Sequence, residues 1–437
     1  MDWKKEFKIL GWISTIFLFV FFMPLENLEF RQAIDASLDL ARWYAQEHVI
    51  LCLLPAFFIA GTISIFISQA AVLKYFGANA KKWLAYSIAS ISGSVLAVCS
   101  CTILPLFSSI HKRGAGLGPA VTFLYSGPAI NILAIILTAR ILGWELGMAR
   151  TIGAIIFSIL IGLSMVFIYR KEERVKAKEQ KEFKSIPEKR PLWQTATHFF
   201  ILVAILVFAN WGKPASDDIG SVWFYLWSYK WHITSLFSIG LMFSLIYILE
   251  VKWYKVLLAA IPVAVVSLLT ANPLLSVLVG IVGLATITIW DGGENREWTY
   301  SSWDFAKQII PLLGIGVIIA GFLLGSTHDD VALQGIIPNE WVATFVGGNS
   351  LTSNLFASVF GAFMYFATLT EVPIIQGLLN SGMGQGPALS LLLAGPALSL
   401  PNMLVIRSVM GTKKTLVFVI LVIVFSTLGG MIFGNMV

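Results

Sequence analysis

Gly114-Ala115-Gly116-Leu117-Gly118-Pro119-Ala120 recurs as Gly382-Met383-Gly384-Gln385-Gly386-Pro387-Ala388, a shift of 268 positions (382 minus 114). At the same shift Gly93 falls on Gly361, Thr102 on Thr370, Pro105 on Pro373, and Gly127-Pro128-Ala129 on Gly395-Pro396-Ala397. From residue 93 to residue 129 this gives 12 identities over 37 ungapped positions, mostly Gly and Pro, the types that set backbone path. The copies differ where chemistry is conspicuous. Cys99 and Cys101 face Ala367 and Leu369, while Ile103 faces Glu371. One duplicated backbone device carries soft sulfur in its first copy and a lone carboxylate in its second.

The surrounding chain is built for a bilayer. Of 437 residues, 57% are hydrophobic and only 12% charged. Runs of about 18 or more nearly uncharged residues recur, the helix length that a hydrocarbon core of ~30 Å demands. Apolar spans are expected near 9–24, 48–68, 119–140, 150–169, 193–211, 232–249, 255–271, 274–290, 309–325, 386–406 and 415–435. The formal charge of +6 lies in short stretches between these runs. That placement sets topology and argues against nucleic-acid binding, which needs a basic stripe on a folded surface. The charged start Met1–Lys8 precedes an apolar run with no small-residue cleavage site after it, so a retained span is expected. Three cysteines make no disulfide framework, and Cys52 alone in an apolar run reads as a small core residue. No Walker A pattern is present; the chain is expected to be neither an ATPase nor any other enzyme, with no cofactor.

Two stretches, 83–110 and 353–380, fit no straight span. Each would be ~42 Å long as one helix, and each carries an early Gly and a later Pro. The alternative is a re-entrant hairpin whose irregular tip is tolerated where protein or a watery cavity meets it. Positive charge chooses between them. With the N-terminus cytoplasmic and both stretches as hairpins, Lys81-Lys82, His111-Lys112-Arg113, the 170–190 run, Lys252, Lys255, Arg296, Arg407, Lys413 and Lys414 all fall inside. Asp217-Asp218 and Asp329-Asp330 then fall outside. The same count turns the second copy upside down relative to the first, as in many secondary transporters. The expected fold is therefore an all-α polytopic membrane protein with an internal, inverted repeat and two broken-helix hairpins meeting near the bilayer midplane. Its parts are an N-terminal span and amphipathic connector (1–47), repeat 1 (48–169), a solvated charged cytoplasmic loop (170–190), a transmembrane insert (191–304) and repeat 2 (305–437).

Facing tips would bring Cys99 and Cys101, with Thr102, against Glu371 and Thr370. Thiolates suit Cu(I), Zn(II) or thiophilic metalloids, and two cysteines on an irregular tip can aim both sulfurs at one atom. The same spacing also suits a thiol–disulfide carrier or two small buried residues. Glu371 is the one acid deep in an apolar segment, a functional position by default, able to bind and release a proton or to balance a cation. Ser126, Asn131, Ser399 and Asn402 follow as polar lining. Pro105, Gly127, Pro128, Pro373, Gly395 and Pro396 are expected to set hinge geometry, and the Pro breaks to leave carbonyls in need of a partner. His198 and His232 are expected at the membrane interface, with Trp residues forming an aromatic belt.

The run Val98-Cys99-Ser100-Cys101-Thr102-Ile103-Leu104-Pro105-Leu106-Phe107, then Lys112-Arg113-Gly114-Ala115-Gly116, then Ala120 through Tyr125-Ser126-Gly127-Pro128-Ala129-Ile130-Asn131, resembles the signature of the ArsP/YraQ-type permeases. The likeness covers roughly 48–169 and 305–436 and leaves the insert unexplained. It implies an inner-membrane permease that exports trivalent organoarsenicals in some members and soft metal ions in others. Carried over to this chain, Cys99 and Cys101 would hold the thiophilic cargo, or the metal where the cargo is one. The metal-efflux branch usually has a Thr-Pro-Glu-type break where this chain has Ser126-Gly127-Pro128 and Asn131. The resulting expectation is a secondary-active efflux permease of the cell membrane, its partners the lipid bilayer, a thiophilic solute and protons. A Cu or Zn exporter and a membrane thiol–disulfide or sulfur-compound carrier are the alternatives.

Overall fold

A computed structural model describes residues 7, 10, 11, 13, 14, 17, 18, 20–67, 76, 77, 80–96, 100–182, 190–212, 222–328, 331–336, 345–364, 371–380 and 382–437. Nearly all of them are helical, with one small hairpin of strands β1 (Ser326–His328) and β2 (Val331–Leu333). The protein is an all-α, multi-pass membrane protein. Among the described residues five helices are long and apolar enough to cross a bilayer, and a sixth span forms if the bent Leu28–Ile65 unit is counted. Large apolar side chains on these helices face outward, such as Leu268, Leu269 and Phe167, as lipid contact requires.

The described helices begin with α1 (Leu28–Tyr44), a π-helical turn (Ala45–Leu53) and α2 (Leu54–Ile65). They continue with α3 (Lys82–Leu96), α4 (Ser100–Lys112), α5 (Leu117–Ala129), α6 (Ile132–Ile141) and α7 (Trp144–Ile168). Next come α8 (Arg170–Glu182) in the charged 170–190 run and then α9 (Leu192–Ala209), α10 (Val222–Ser228), α11 (Lys230–Tyr247), α12 (Trp253–Thr270) and α13 (Pro273–Asp291). The 32-residue α14 (Gly293–Leu324) leads to α15 (Leu351–Phe363), α16 (Glu371–Asn380), α17 (Gln385–Ala394), α18 (Leu400–Met410) and α19 (Thr412–Gly434).

Shifted by 268, helices α3 to α7 fall on α15 to α19. The turns repeat as well. Gly114 (φ 94°) maps on Gly382 (φ 99°), and Gly143 (φ 101°) on Gly411 (φ 82°), conformations that need glycine. Packing repeats down to single hydrogen bonds. Thr122 donates to the Ser158 carbonyl at 3.0 Å, and its counterpart Ser390 to the Ser426 carbonyl at 3.1 Å. Beside them Gly162 lies against Thr122 and the Gly118 carbonyl, and Gly430 against Ser390 and the Gly386 carbonyl. These are small residues four apart on paired helices, which let backbones approach closely inside a membrane.

Each broken stretch closes on itself. The residues before α3 and after α4 are bridged (Gly77 with Ala115), and Gly116 N donates to Phe76 O at 2.6 Å. Likewise Gly347 bridges Met383, and Gly384 N donates to Val346 O at 3.1 Å. Each helix pair therefore leaves from and returns to one place. The equivalent helices α7 and α19 lie side by side and run in opposite directions. Lys414 at the start of α19 meets Glu172, just past α7, at 2.5 Å, and Phe157 meets Phe425 mid-helix at 5.8 Å between ring centroids.

Four expected features take a more particular form in the structure. The 170–190 run is not wholly a solvated loop, because α8 is helical through Glu182 and its first turn is docked. Arg, Lys, Glu and Ala there are strong helix formers, and Glu173 accepts from Leu117 N at the open N-terminus of α5 at 3.1 Å. The boundary at 305 falls inside continuous α14. The spans at 119–140 and 386–406 are each interrupted, at Ile130–Asn131 and Gly395–Ser399. His198 is buried within the protein, its Nδ1 2.8 Å from Ser244 Oγ and its ring 5.2 Å from that of Trp298. His232 is exposed beside Tyr229.

Candidate functional site

The interruption after α5 frees the last carbonyls of that helix in the middle of the protein. Ala129 O accepts from Arg150 Nε at 3.2 Å. Arg150 Nη1 donates to Thr138 Oγ1 of α6 at 2.9 Å, and Nη2 forms an ion pair with Glu371 Oε1. Both charged side chains are buried, at 0% and 1% exposure. The arrangement has a physical logic. A cation lies at the C-terminal end of α5 and a carboxylate on the first residue of α16, each at the helix end whose dipole favours it. The guanidinium supplies the partner that the Gly127-Pro128-Ala129 segment was expected to need. Gly127 and Pro128 themselves remain in the last turn of α5, while Gly395 and Pro396 follow the end of α17.

Arg150 is the residue that sequence reasoning missed. Hydropathy sets it at the rim of a span beginning at 150, whereas α7 begins at Trp144 and carries it one to two turns inward. The rule that singled out Glu371, an ionisable group inside an apolar helix, applies equally to it.

A second polar contact lies on the sulfur side. Cys52, on the π-helical turn, places Sγ 3.2 Å from Thr102 Oγ1, and both residues are buried. Asn210 Nδ2 holds Leu51 O of the same turn at 2.8 Å. The remaining predicted residues are distributed as follows. Ser126 is buried and donates to Ala89 O at 2.8 Å, tying α5 to α3. Asn131 and its counterpart Ser399 precede α6 and α18, and Ser399 Oγ accepts from Asn402 N at 3.3 Å as a helix cap. Asn402 is buried alongside. Pro105 lies inside α4. Cys99 and Thr370 lie outside the described residues, as do the side chains of Cys101 and Pro373. The structure thus assembles Glu371 with Arg150 and Thr138, and Thr102 with Cys52.

A sequence profile described as a predicted permease, ArsP_1, matches residues 38–435. The chain belongs to the ArsP_1 family. UPF0718 protein MJ0584 of Methanocaldococcus jannaschii is 42% identical to this permease over 415 residues, 95% of this chain and 97% of that protein. UPF0718 protein YraQ of Escherichia coli is 30% identical over 122 residues, 28% of this chain and 32% of that protein. UPF0718 protein YcgR of Bacillus subtilis is 24% identical over 123 residues, 28% and 41% of the two chains. No solved structure matches the permease.

Proposed function

We propose that this membrane permease is a secondary-active exporter of the cell membrane, N-terminus cytoplasmic, that carries a trivalent organoarsenical or related thiophilic solute outward in exchange for protons. Cys99 and Cys101 ligate the cargo, Glu371 carries the proton, and Thr102, Thr370, Ser126, Asn131, Ser399 and Asn402 line the path. The two copies are inverted, their hairpin tips meet near the midplane, and the copies rock about them.

The observation that carries this reading is the buried Arg150–Glu371 pair at two broken helix ends, where the two copies meet. Transporters of inverted design place their sites at such half-helix ends. The closed ends of α3–α4 and α15–α16 and the antiparallel course of α7 and α19 support inversion. Sulfur is the soft ligand that trivalent arsenic requires.

The test is uptake of phenylarsine oxide into everted vesicles under an imposed proton gradient. Wild type is expected to accumulate it, and C99S and C101S to lose at least about tenfold, a loss equal to ~1.4 kcal/mol of lost interaction. Wild-type uptake by both variants would remove the cysteines from the path. Zinc or copper uptake without arsenical uptake would instead establish the metal exporter.

A further inference from the structure

We propose that Arg150 is the positioning residue through which Glu371 acts, and that the pair is a latch between the copies, closed when Glu371 is ionised and released when it takes a proton. The inference rests on the proton-coupling part of the proposed function and adds a residue and an order of events to it.

Three observations converge. The first is how the guanidinium is held. Two of its three contacts, to Ala129 O and Thr138 Oγ1, belong to the first copy, and only Nη2 reaches the second copy at Glu371. Protonating the carboxylate removes the charge attraction across that one contact and leaves the two first-copy contacts of Arg150 in place. The break therefore falls at the boundary between copies and nowhere else.

The second is the duplication itself. Shifted by 268, Ala129, Thr138 and Arg150 become Ala397, Ile406 and Phe418, while Glu371 maps back on Ile103. All four of these counterparts are buried. The equivalent positions in this very protein are thus filled by buried apolar side chains. A buried ion pair is commonly no more stable than a well-packed apolar replacement. Stability does not require charge here, and a switch does. The charged contact is the one that opens.

The third is isolation. Helix α16 packs against α6 and α17. α17 has no ionisable side chain, α6 has Arg140, whose side chain lies outside the described residues, and Tyr125 of α5 is the other titratable group near Arg150. Among the described residues Glu371 has no charged partner other than Arg150. A proton arriving at this carboxylate therefore changes one interaction, the one between copies.

The experiment uses the full chain reconstituted in liposomes, with infrared difference spectra across a pH titration and phenylarsine oxide uptake as two readouts. Wild type is expected to show a protonated-carboxyl band that grows as pH falls and is absent from E371Q. R150K keeps a titrating band with a displaced midpoint. R150M shows the band protonated throughout. The double variant R150M/E371L is the control for folding, expected to melt at or above the wild-type temperature while losing at least tenfold of the pH-driven uptake. Two results overturn the latch: a double variant that fails to fold, or one whose pH-driven uptake is within twofold of wild type. The infrared titration needs no cargo. A titrating Glu371 band that answers to Arg150, in a protein that moves no arsenical, would sink the cargo reading and leave the latch standing.

Discussion

At Gly162 and Gly430 a hydrogen atom in place of a side chain decides how closely two helices approach. A β-carbon at Gly162 would run into Thr122 Oγ1 and lie 2.8 Å from the Gly118 carbonyl. One at Gly430 would run into Ser390 Oγ, Asn354 Oδ1 and the Gly386 carbonyl. Backbone carbonyls cannot rotate away, so G162A and G430A are each expected to cost about 1–3 kcal/mol by overpacking. Gly314, on α14 with nothing within 4 Å of its would-be β-carbon, is the control. There alanine should be neutral or stabilising by up to about 1 kcal/mol. Thermal melting in detergent checks all three. Equal losses at 162 and 430 would also show that the two copies use these positions alike. Trp298 offers a polar counterpart: its Nε1 donates to Phe58 O at 2.8 Å in the buried seam between α14 and α2. W298F loses that bond and leaves the carbonyl to its helix, at an expected cost of about 1 kcal/mol in the same melt.

Elements start and stop where the sequence says, more reliably than they pair. Gly143 and Gly411 precede α7 and α19 with φ of 101° and 82° and ψ of 153° and 162°, a region that essentially only glycine occupies. No atom lies within 4 Å of a β-carbon built on either. Alanine there meets no neighbour, so its cost is purely conformational. G143A and G411A are expected to lower stability by about 1–3 kcal/mol each, with similar values because the geometry is the same. A large difference in melting between the two would break the equivalence of the helix starts. This is why the duplication was legible. Gly and Pro act through local backbone geometry, so identical spacing of Gly114, Gly127 and Pro128 with Gly382, Gly395 and Pro396 gives nearly identical element bounds. The Arg150–Glu371 pair was not legible for the opposite reason. It depends on which helices meet across the two copies, and composition marked Glu371 but assigned Arg150 to a membrane surface. The helical state of α8 was misjudged on a related ground, since charge content reads as solvation while Glu173 is in fact docked on α5.

For the molecule as a whole, inversion makes a claim that each pair of equivalent surface positions must satisfy. Glu145, just inside α7, and Lys413, just inside α19, are equivalent under the 268-residue shift and both exposed. In a parallel repeat they emerge on the same side of the membrane; in an inverted repeat they emerge on opposite sides. Lys112 reaches Gln308 at 3.4 Å and Gln308 reaches Ser408 at 3.1 Å, while Lys414 pairs with Glu172 and Arg190 with Glu294. Lys112 ends α4, Lys414 lies in the first turn of α19 and Arg190 precedes α9; under the proposed topology the positive-inside tendency puts all three on the cytoplasmic side. Asn349 and Asn435, joined at 2.9 Å, belong to segments at the other ends of α15 and α19. In a background lacking native cysteines, E145C is expected to react with an impermeant maleimide added to intact cells. K413C should react only after the membrane is opened. Both positions are exposed, so neither change should disturb folding. Labelling of both from the same side would make the repeat parallel. The Arg150–Glu371 contact would then no longer lie between two oppositely oriented halves, and rocking of one copy against the other would have no axis to turn on.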